Sequence, residues 1–162
     1  METLPITSFE EFKLTFGRAA SREGIVHVEG MLRALGGDGE RGDVFPLVHR
    51  FANNVYAREI TIPAGSLVVG KIHKHGHLNV ITKGRVAVVT EDGVEEFLAP
   101  HTFISKAGTK RLVFAFEETV WTTFHGTELI DPTQVEEEII CKTFADFDAL
   151  QAQCGQLLED RS

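Results

Sequence analysis

The chain has 162 residues, 43% of them apolar and 25% charged, with a formal net charge of −8. That is the composition of one soluble globular domain long enough to bury a core of its own. The acidic balance excludes a general binder of nucleic acid or of anionic membrane, and no apolar run approaches the ~20 residues of a membrane-spanning helix. Met1-Glu2-Thr3-Leu4-Pro5 offers neither a basic nor an apolar leader segment, so the expected location is the cytoplasm. Cys141 and Cys154 lack CxxC spacing and read as two reduced thiols.

In chain order, Ser8-Phe9-Glu10-Glu11 has the form of a capping box, and Phe9, Phe12 and Phe16 follow at helical spacing. The pattern predicts a helix over 9–20 with a phenylalanine stripe. Met31, Leu32 and Leu35 share the face of a second helix that stops at Gly36-Gly37, and Ile25 to Val28 before it suits a helix or a strand equally. Residues 36–43 read as a loop, and the tripeptide Arg41-Gly42-Asp43 within it as a chance occurrence.

From Val44 onward the period becomes that of strands. Val44 to Phe51 contains Pro46 and reads as an edge strand; Val55 to Ile62 alternates and ends in the turn Pro63-Ala64-Gly65. Strand-like sequence flanks the histidine-rich stretch and continues past Lys83-Gly84. Glu91-Asp92-Gly93 is a hairpin turn between 85–90 and 94–98, and further strands are predicted over 102–105, 111–116 and 119–125. Asp131-Pro132 supplies a helix cap and first residue for a short acidic helix. Thr143 to Asp146 opens a final helix with Phe144, Phe147 and Leu150 on one side. The predicted organisation is a helical N-terminal extension over 1–43, a β-barrel over 44–128 and a helical C-terminal segment over 129–162, together one domain.

The chemistry concentrates in Gly70-Lys71-Ile72-His73-Lys74-His75-Gly76-His77-Leu78-Asn79, where three of the seven histidines fall within five residues. In an extended segment His73, His75, His77 and Asn79 would share a face, with Gly76 able to rotate the last histidine away from the first two. Imidazoles on one face suit a metal site or a polar cavity, and both readings stay open. His125 and His49 are further candidate ligands. Metal-free acid–base chemistry would use His73 or His77 as base and Tyr56 or Glu59 as acid. Arg111, with Lys71 and Lys110, would form a locally positive pocket for an anion. Arg58 and Glu59 otherwise read as a solvated strand face. No phosphate-binding loop, GxSxG or HExxH is present.

Gly84, with His77 to Lys83 before it, and Lys106-Ala107-Gly108-Thr109-Lys110-Arg111 resemble the two motifs of the cupin superfamily. The resemblance spans residues 58–124 and implies a mainly β fold, an antiparallel jelly-roll barrel with helical additions at both ends. It puts Gly84 at the first motif's closing glycine, His77 at its glutamate and His73 at its second histidine. Lys71 falls at its first histidine, with His75 as an extra between them. Gly108 matches the second motif, but Lys106 replaces its proline and Arg111 stands at its histidine. His77 to Gly84, Val89 to Gly93 and Thr119 to His125 also resemble small cupins carried by tailed phages, which would place the protein in the cytoplasm of an infected cell.

The resemblance implies a His-lined barrel pocket for a divalent metal (iron, manganese, nickel or zinc), a small polar or anionic molecule, or both. His73, His75, His77 and His125 are the metal candidates. His73, His77 and Tyr56 are the catalytic candidates, and Lys71, His75, Asn79, Arg111 and Trp121 the ligand-binding ones. Isomerase, lyase or oxygenase chemistry, non-enzymatic sequestration of a ligand (as in a phage-borne protein countering a host defence) and a purely structural role are the three functions in view. A homodimer is expected by analogy with other such barrels.

Overall fold

The structure, a computed structural model, describes residues 6–35 and 45–159. The sequence readings at Gly36-Gly37, at Arg41–Asp43 and at Val44 lie outside the described residues. Helix α1, Phe9–Phe16, starts with both arms of the capping box in place: the Ser8 hydroxyl accepts from the Glu11 N–H, and the Glu11 carboxylate accepts from the Ser8 N–H. The helix predicted over 9–20 is shorter than expected. Gly17 caps it, and a single 3-10 turn, Gly17–Ala19, follows. Ser21 then caps α2, Arg22–Ala34, by accepting from the Gly24 N–H. The segment Ile25 to Val28, left open between helix and strand, therefore lies inside a helix.

Eleven strands are described: β1 (Leu47–Ala52), β2 (Val55–Ile62), β3 (Leu67–Val69), β4 (Ile72–His73), β5 (His77–Lys83), β6 (Arg85–Thr90), β7 (Gly93–Leu98), β8 (His101–Ser105), β9 (Leu112–Ala115), β10 (Thr119–Gly126) and β11 (Ile140–Cys141). Helix α3, Pro132–Ile139, precedes β11 and α4, Phe144–Glu159, follows it. One sheet has the order β1-β2-β10-β5-β8, the other β3-β9-β6-β7, and all pairings are antiparallel. Strands far apart in sequence are thus neighbours. A long hairpin wound on itself to give β2-β10-β5-β8 against β3-β9-β6-β7 is a jelly roll. The predicted edge strand is β1, at the rim of the first sheet. Asp92-Gly93 turns β6 into β7 in the expected register, Thr90 opposite Gly93. Gly84 links β5 to β6 at φ +96°, where a Cβ would stand 2.7 Å from the Thr119 Cα, so only glycine fits.

The inner faces of the two sheets meet in a core of Ile62, Ile81, Val86, Val88, Val113, Ala115 and Trp121. The outer face of the four-stranded sheet is also apolar, and Phe12 of α1 and Ile25 of α2 cover Ala87, Val89, Leu112 and Phe114. Burial on both sides explains why Val86 to Val89 and Leu112 to Ala115 are continuous apolar runs. Truncating a fully buried phenylalanine such as Phe12 costs about 3–5 kcal/mol, so the N-terminal helices belong to the core. The outer face of the five-stranded sheet differs. Ala57, Phe124, Leu78 and Ile104 lie in register across its four neighbouring strands β2, β10, β5 and β8, and Leu78 and Ile104 are exposed.

At one end of the barrel the C-terminal segment adds to the sheet structure. Strand β11 pairs with β4, Ile140 opposite His73 and Cys141 opposite Ile72. The predicted boundary at residue 128 is therefore crossed by a strand pairing.

Candidate metal centre

Three histidines converge at that end from three strands. His73 closes β4, His77 opens β5 and His125 lies near the end of β10. On β5 the inward parity runs His77, Asn79, Ile81; on β10 it runs Trp121, Thr123, His125, with Thr123 opposite Asn79. The ring centroids are 4.2 Å apart for His73 and His77, 4.7 Å for His77 and His125, and 5.1 Å for His73 and His125. One donor nitrogen from each lies within 4.8 Å of the others.

The position of His73 is fixed through its backbone. Besides the β11 pairing, the Gly108 N–H donates to the His73 carbonyl at 2.8 Å, and the Lys74 N–H donates to the Ile139 carbonyl at 2.8 Å. Gly108 has φ +80°, and a Cβ there would stand 2.5 Å from the Phe147 ring of α4. Helix α4 therefore packs directly on the loop that holds the histidine.

Burial keeps all three imidazoles neutral near pH 7. It is the largest cause pushing His73 down to about 2, helped by the proximity of His77, His125, Arg111 and Arg58. His125 is pushed to about 4, again first by burial, then by His77, Arg58 and His75. His77 is lowered by burial and by Arg111, opposed by its contact with the His75 carbonyl. Neutral imidazole is the form that binds a metal. His77 Nδ1 lies 3.4 Å from the His75 carbonyl oxygen and His125 Nε2 lies 3.2 Å from the Thr123 hydroxyl. Contacts of this kind fix the ring and leave the other nitrogen for an ion. His73 Nδ1 is buried and has no hydrogen-bond partner. One nitrogen from each ring could bind the same cation. The residues fit a metal.

The other predicted residues divide. Arg111 precedes β9 on the inward parity of Val113 and Ala115, with its guanidinium 5.3 Å from the Phe103 ring centre and its Nε buried without a partner. Burial lowers it to about 10, opposed by the charge of Glu95. Tyr56 is buried against Phe51 and His125, and its hydroxyl lies 2.7 Å from His49 Nδ1. His49 stays one residue removed from the cluster. Lys110 is buried, but in an ion pair with Glu29 of α2 at 3.1 Å.

Four expectations need correction. His75 is exposed and outside the cluster, because the chain bends at Lys74 and His75 and breaks the alternation that would have aligned it with His73 and His77. Lys71 turns away to an ion pair with Glu136 of α3. Asn79 does not face a ligand. Its amide donates to the Ser105 hydroxyl at 2.7 Å and to the His77 carbonyl, and its oxygen accepts from the Trp121 indole N–H at 3.0 Å. Trp121 is correspondingly a core residue between the sheets. Sequence reasoning also missed Arg58, read as solvated, whose charge acts on His73 and His125. Its parity with Tyr56, Ile60 and Ile62 was the available signal.

No family model matches the chain and no curated protein matches it. Solved structures do resemble it. A cupin-2 domain protein from Shewanella frigidimarina is 11% identical with a TM-score of 0.43, over 50% of this chain and 79% of that one. A cupin superfamily protein from Desulfitobacterium hafniense is 10% identical, TM-score 0.45, over 54% and 82%. An RmlC-like cupin with a double-stranded β-helix from Methanocaldococcus jannaschii is 14% identical, TM-score 0.42, over 59% and 91%. The chain's own strand order shows its fold: an antiparallel jelly roll with helical segments at both ends.

Proposed function

We propose that the protein binds one divalent transition-metal ion through His73, His77 and His125, and takes up a small polar molecule at the open coordination positions. The observation that supports this reading most strongly is the convergence of three neutral imidazoles, His77 and His125 buried and His73 half-buried, from three strands, with one donor nitrogen of each within 4.8 Å of the others. An all-imidazole donor set suits zinc, iron or nickel, with manganese a weaker fit, and three protein ligands leave room for a substrate. A bound ion would supply Lewis-acid chemistry for an isomerase or lyase reaction, or, if redox-active like iron, the oxygen chemistry of an oxygenase. The chain's own contribution is to hold the rings neutral and to stack the Tyr56 ring, its hydroxyl tied to His49, against His125. Elemental analysis of protein purified without a histidine tag is expected to give about one ion per chain. Failure to take up zinc, nickel, iron or manganese after chelator treatment and reloading would overturn the proposal.

We also propose that two copies pair through the outer face of the five-stranded sheet, where exposed Leu78 and Ile104 extend an apolar row. Sedimentation velocity should give a dimer that Ile104→Asp converts to monomer. A monomeric wild-type protein at micromolar concentration removes the idea.

A further inference from the structure

We infer that the C-terminal segment is a latch on the metal centre. It holds His73, the one ligand carried outside the two barrel sheets; Arg22 keeps it closed, and its opening sets the rate at which the ion leaves. This rests on the three-histidine metal reading and adds a control to it.

The three histidines are not held alike. His77 and His125 lie on β5 and β10 of the five-stranded sheet, and β10 pairs with β2 along its whole length from Thr119 to Gly126. His73 lies on β4, which belongs to neither barrel sheet and whose one strand partner among the described residues is β11. Two of the contacts that fix it, the β11 pairing and the bond from the Lys74 N–H to the Ile139 carbonyl, go to the C-terminal segment. The third comes from the Gly108 N–H, on the loop against which Phe147 of α4 is seated. A pairing of two residues opens more readily than one of eight, because local unfolding follows the number of contacts it breaks. Once β4 detaches, the ion keeps only the two ligands on the barrel.

Helix α4 covers this small sheet, with Phe144, Phe147 and Leu150 packed on Ile72 of β4 and Cys141 of β11. Arg22 of α2 fastens the helix. Its Nε lies 3.1 Å from Glu91 in the β6–β7 turn and its Nη1 2.9 Å from Asp148 of α4, and its guanidinium stands 4.6 Å from the centre of the Phe144 ring. One side chain thus ties the N-terminal helices, the barrel and α4 together. Helix α2 is itself anchored to the Gly108 loop by the ion pair of Glu29 with buried Lys110. Arg22 is therefore a positioning residue that acts on His73 through α4.

Release of zinc from the loaded protein to excess chelator, read with a metallochromic dye, tests the inference together with hydrogen exchange at the Lys74 amide. An ion that leaves only from the open form is released in proportion to the fraction of chains open. Arg22→Gln should speed both zinc release and exchange at Lys74 by about 10-fold, with exchange in the central strand β6 unchanged. Arg22→Lys, which keeps the charge but cannot span two carboxylates as the guanidinium does, should recover part of the difference. Arg85→Gln is the matched control. Arg85 also pairs with a carboxylate, Glu96, and stands 4.6 Å from the centre of an aromatic ring, Phe116, but within the barrel, so its loss should leave zinc release unchanged. Phe147→Ala should release zinc faster still, and adding Arg22→Gln to it should add little, because both act on one latch. Arg22→Gln carries the test by itself where Phe147→Ala fails to fold. Release from Arg22→Gln at the wild-type rate, equally fast release from Arg85→Gln, or faster release with unchanged exchange at Lys74 would each overturn the inference alone. Failure of the wild type to take up an ion would overturn the metal reading and this inference with it.

Discussion

His125→Ala is expected to strip the bound ion from the protein, whereas His75→Ala leaves it in place. The two exchanges remove the same chemical group, so the contrast isolates position. His125 is buried and has a donor nitrogen within 4.8 Å of those of His73 and His77, while His75 is exposed at the bend between β4 and β5. Losing a residue that merely supports a ligand typically weakens metal binding 10–100-fold, so losing one of three direct ligands should exceed about 100-fold. Dialysis against a weak chelator followed by elemental analysis reads the effect directly. Equal retention by both variants would show that the ion, if bound, sits elsewhere.

Acid should destabilise the metal-free protein well before its carboxylates are protonated. The folded pKa values of His73 and His125, about 2 and about 4, lie below the ordinary histidine value of 6.5. As pH falls through 6.5 the unfolded chain takes up protons that the folded chain refuses, so equilibrium shifts toward unfolding. Their contribution to stability is intact above pH 6.5 and is lost progressively as pH falls toward the folded values. Between pH 7 and pH 5 two such groups cost on the order of 2–4 kcal/mol. For a chain of this size that is a fall in Tm of roughly 5–15 °C. Calorimetry of wild type and a His73→Leu/His125→Leu double variant at both pH values measures it. The difference between the two proteins should shrink or reverse as pH drops, because the variant has lost the two groups. Parallel pH profiles would refute the explanation. A bound ion should hold the wild type steady to lower pH, until protons displace it.

How far the sequence could be read depends on how local each signal is. Strand β2 was predicted at its observed limits, and Asp92-Gly93 placed the β6–β7 hairpin, because alternation and turn chemistry act over a few residues. His73 and His77 stood out for the same reason. His75 was misplaced because the one break foreseen was at Gly76, whereas the chain already bends at Lys74 and His75, just after β4 pairs with β11 far along the chain. Lys71 was assigned to the pocket by counting back from Gly84, but its orientation is set by Glu136, 65 residues away. Asn79 and Trp121 were both expected to bind a ligand. That they would bond to each other, rather than to a ligand, depends on β5 and β10 being neighbours, which only the strand order supplies.

The pairing of β4 with β11 also sets a timetable for biogenesis. His73 is made early, but the strand that holds it in position is not available until synthesis has passed Cys141, and His125 also arrives late. A nascent chain emerging from the ribosome with His73, His75 and His77 exposed has a flexible run of imidazoles, free to pick up whichever ion is at hand. The rigid three-histidine geometry, and any selectivity that goes with it, exists only once the jelly roll has closed. Choice of the proposed ion would therefore follow synthesis and be made by a folded barrel, once the late-arriving C-terminal segment is in place.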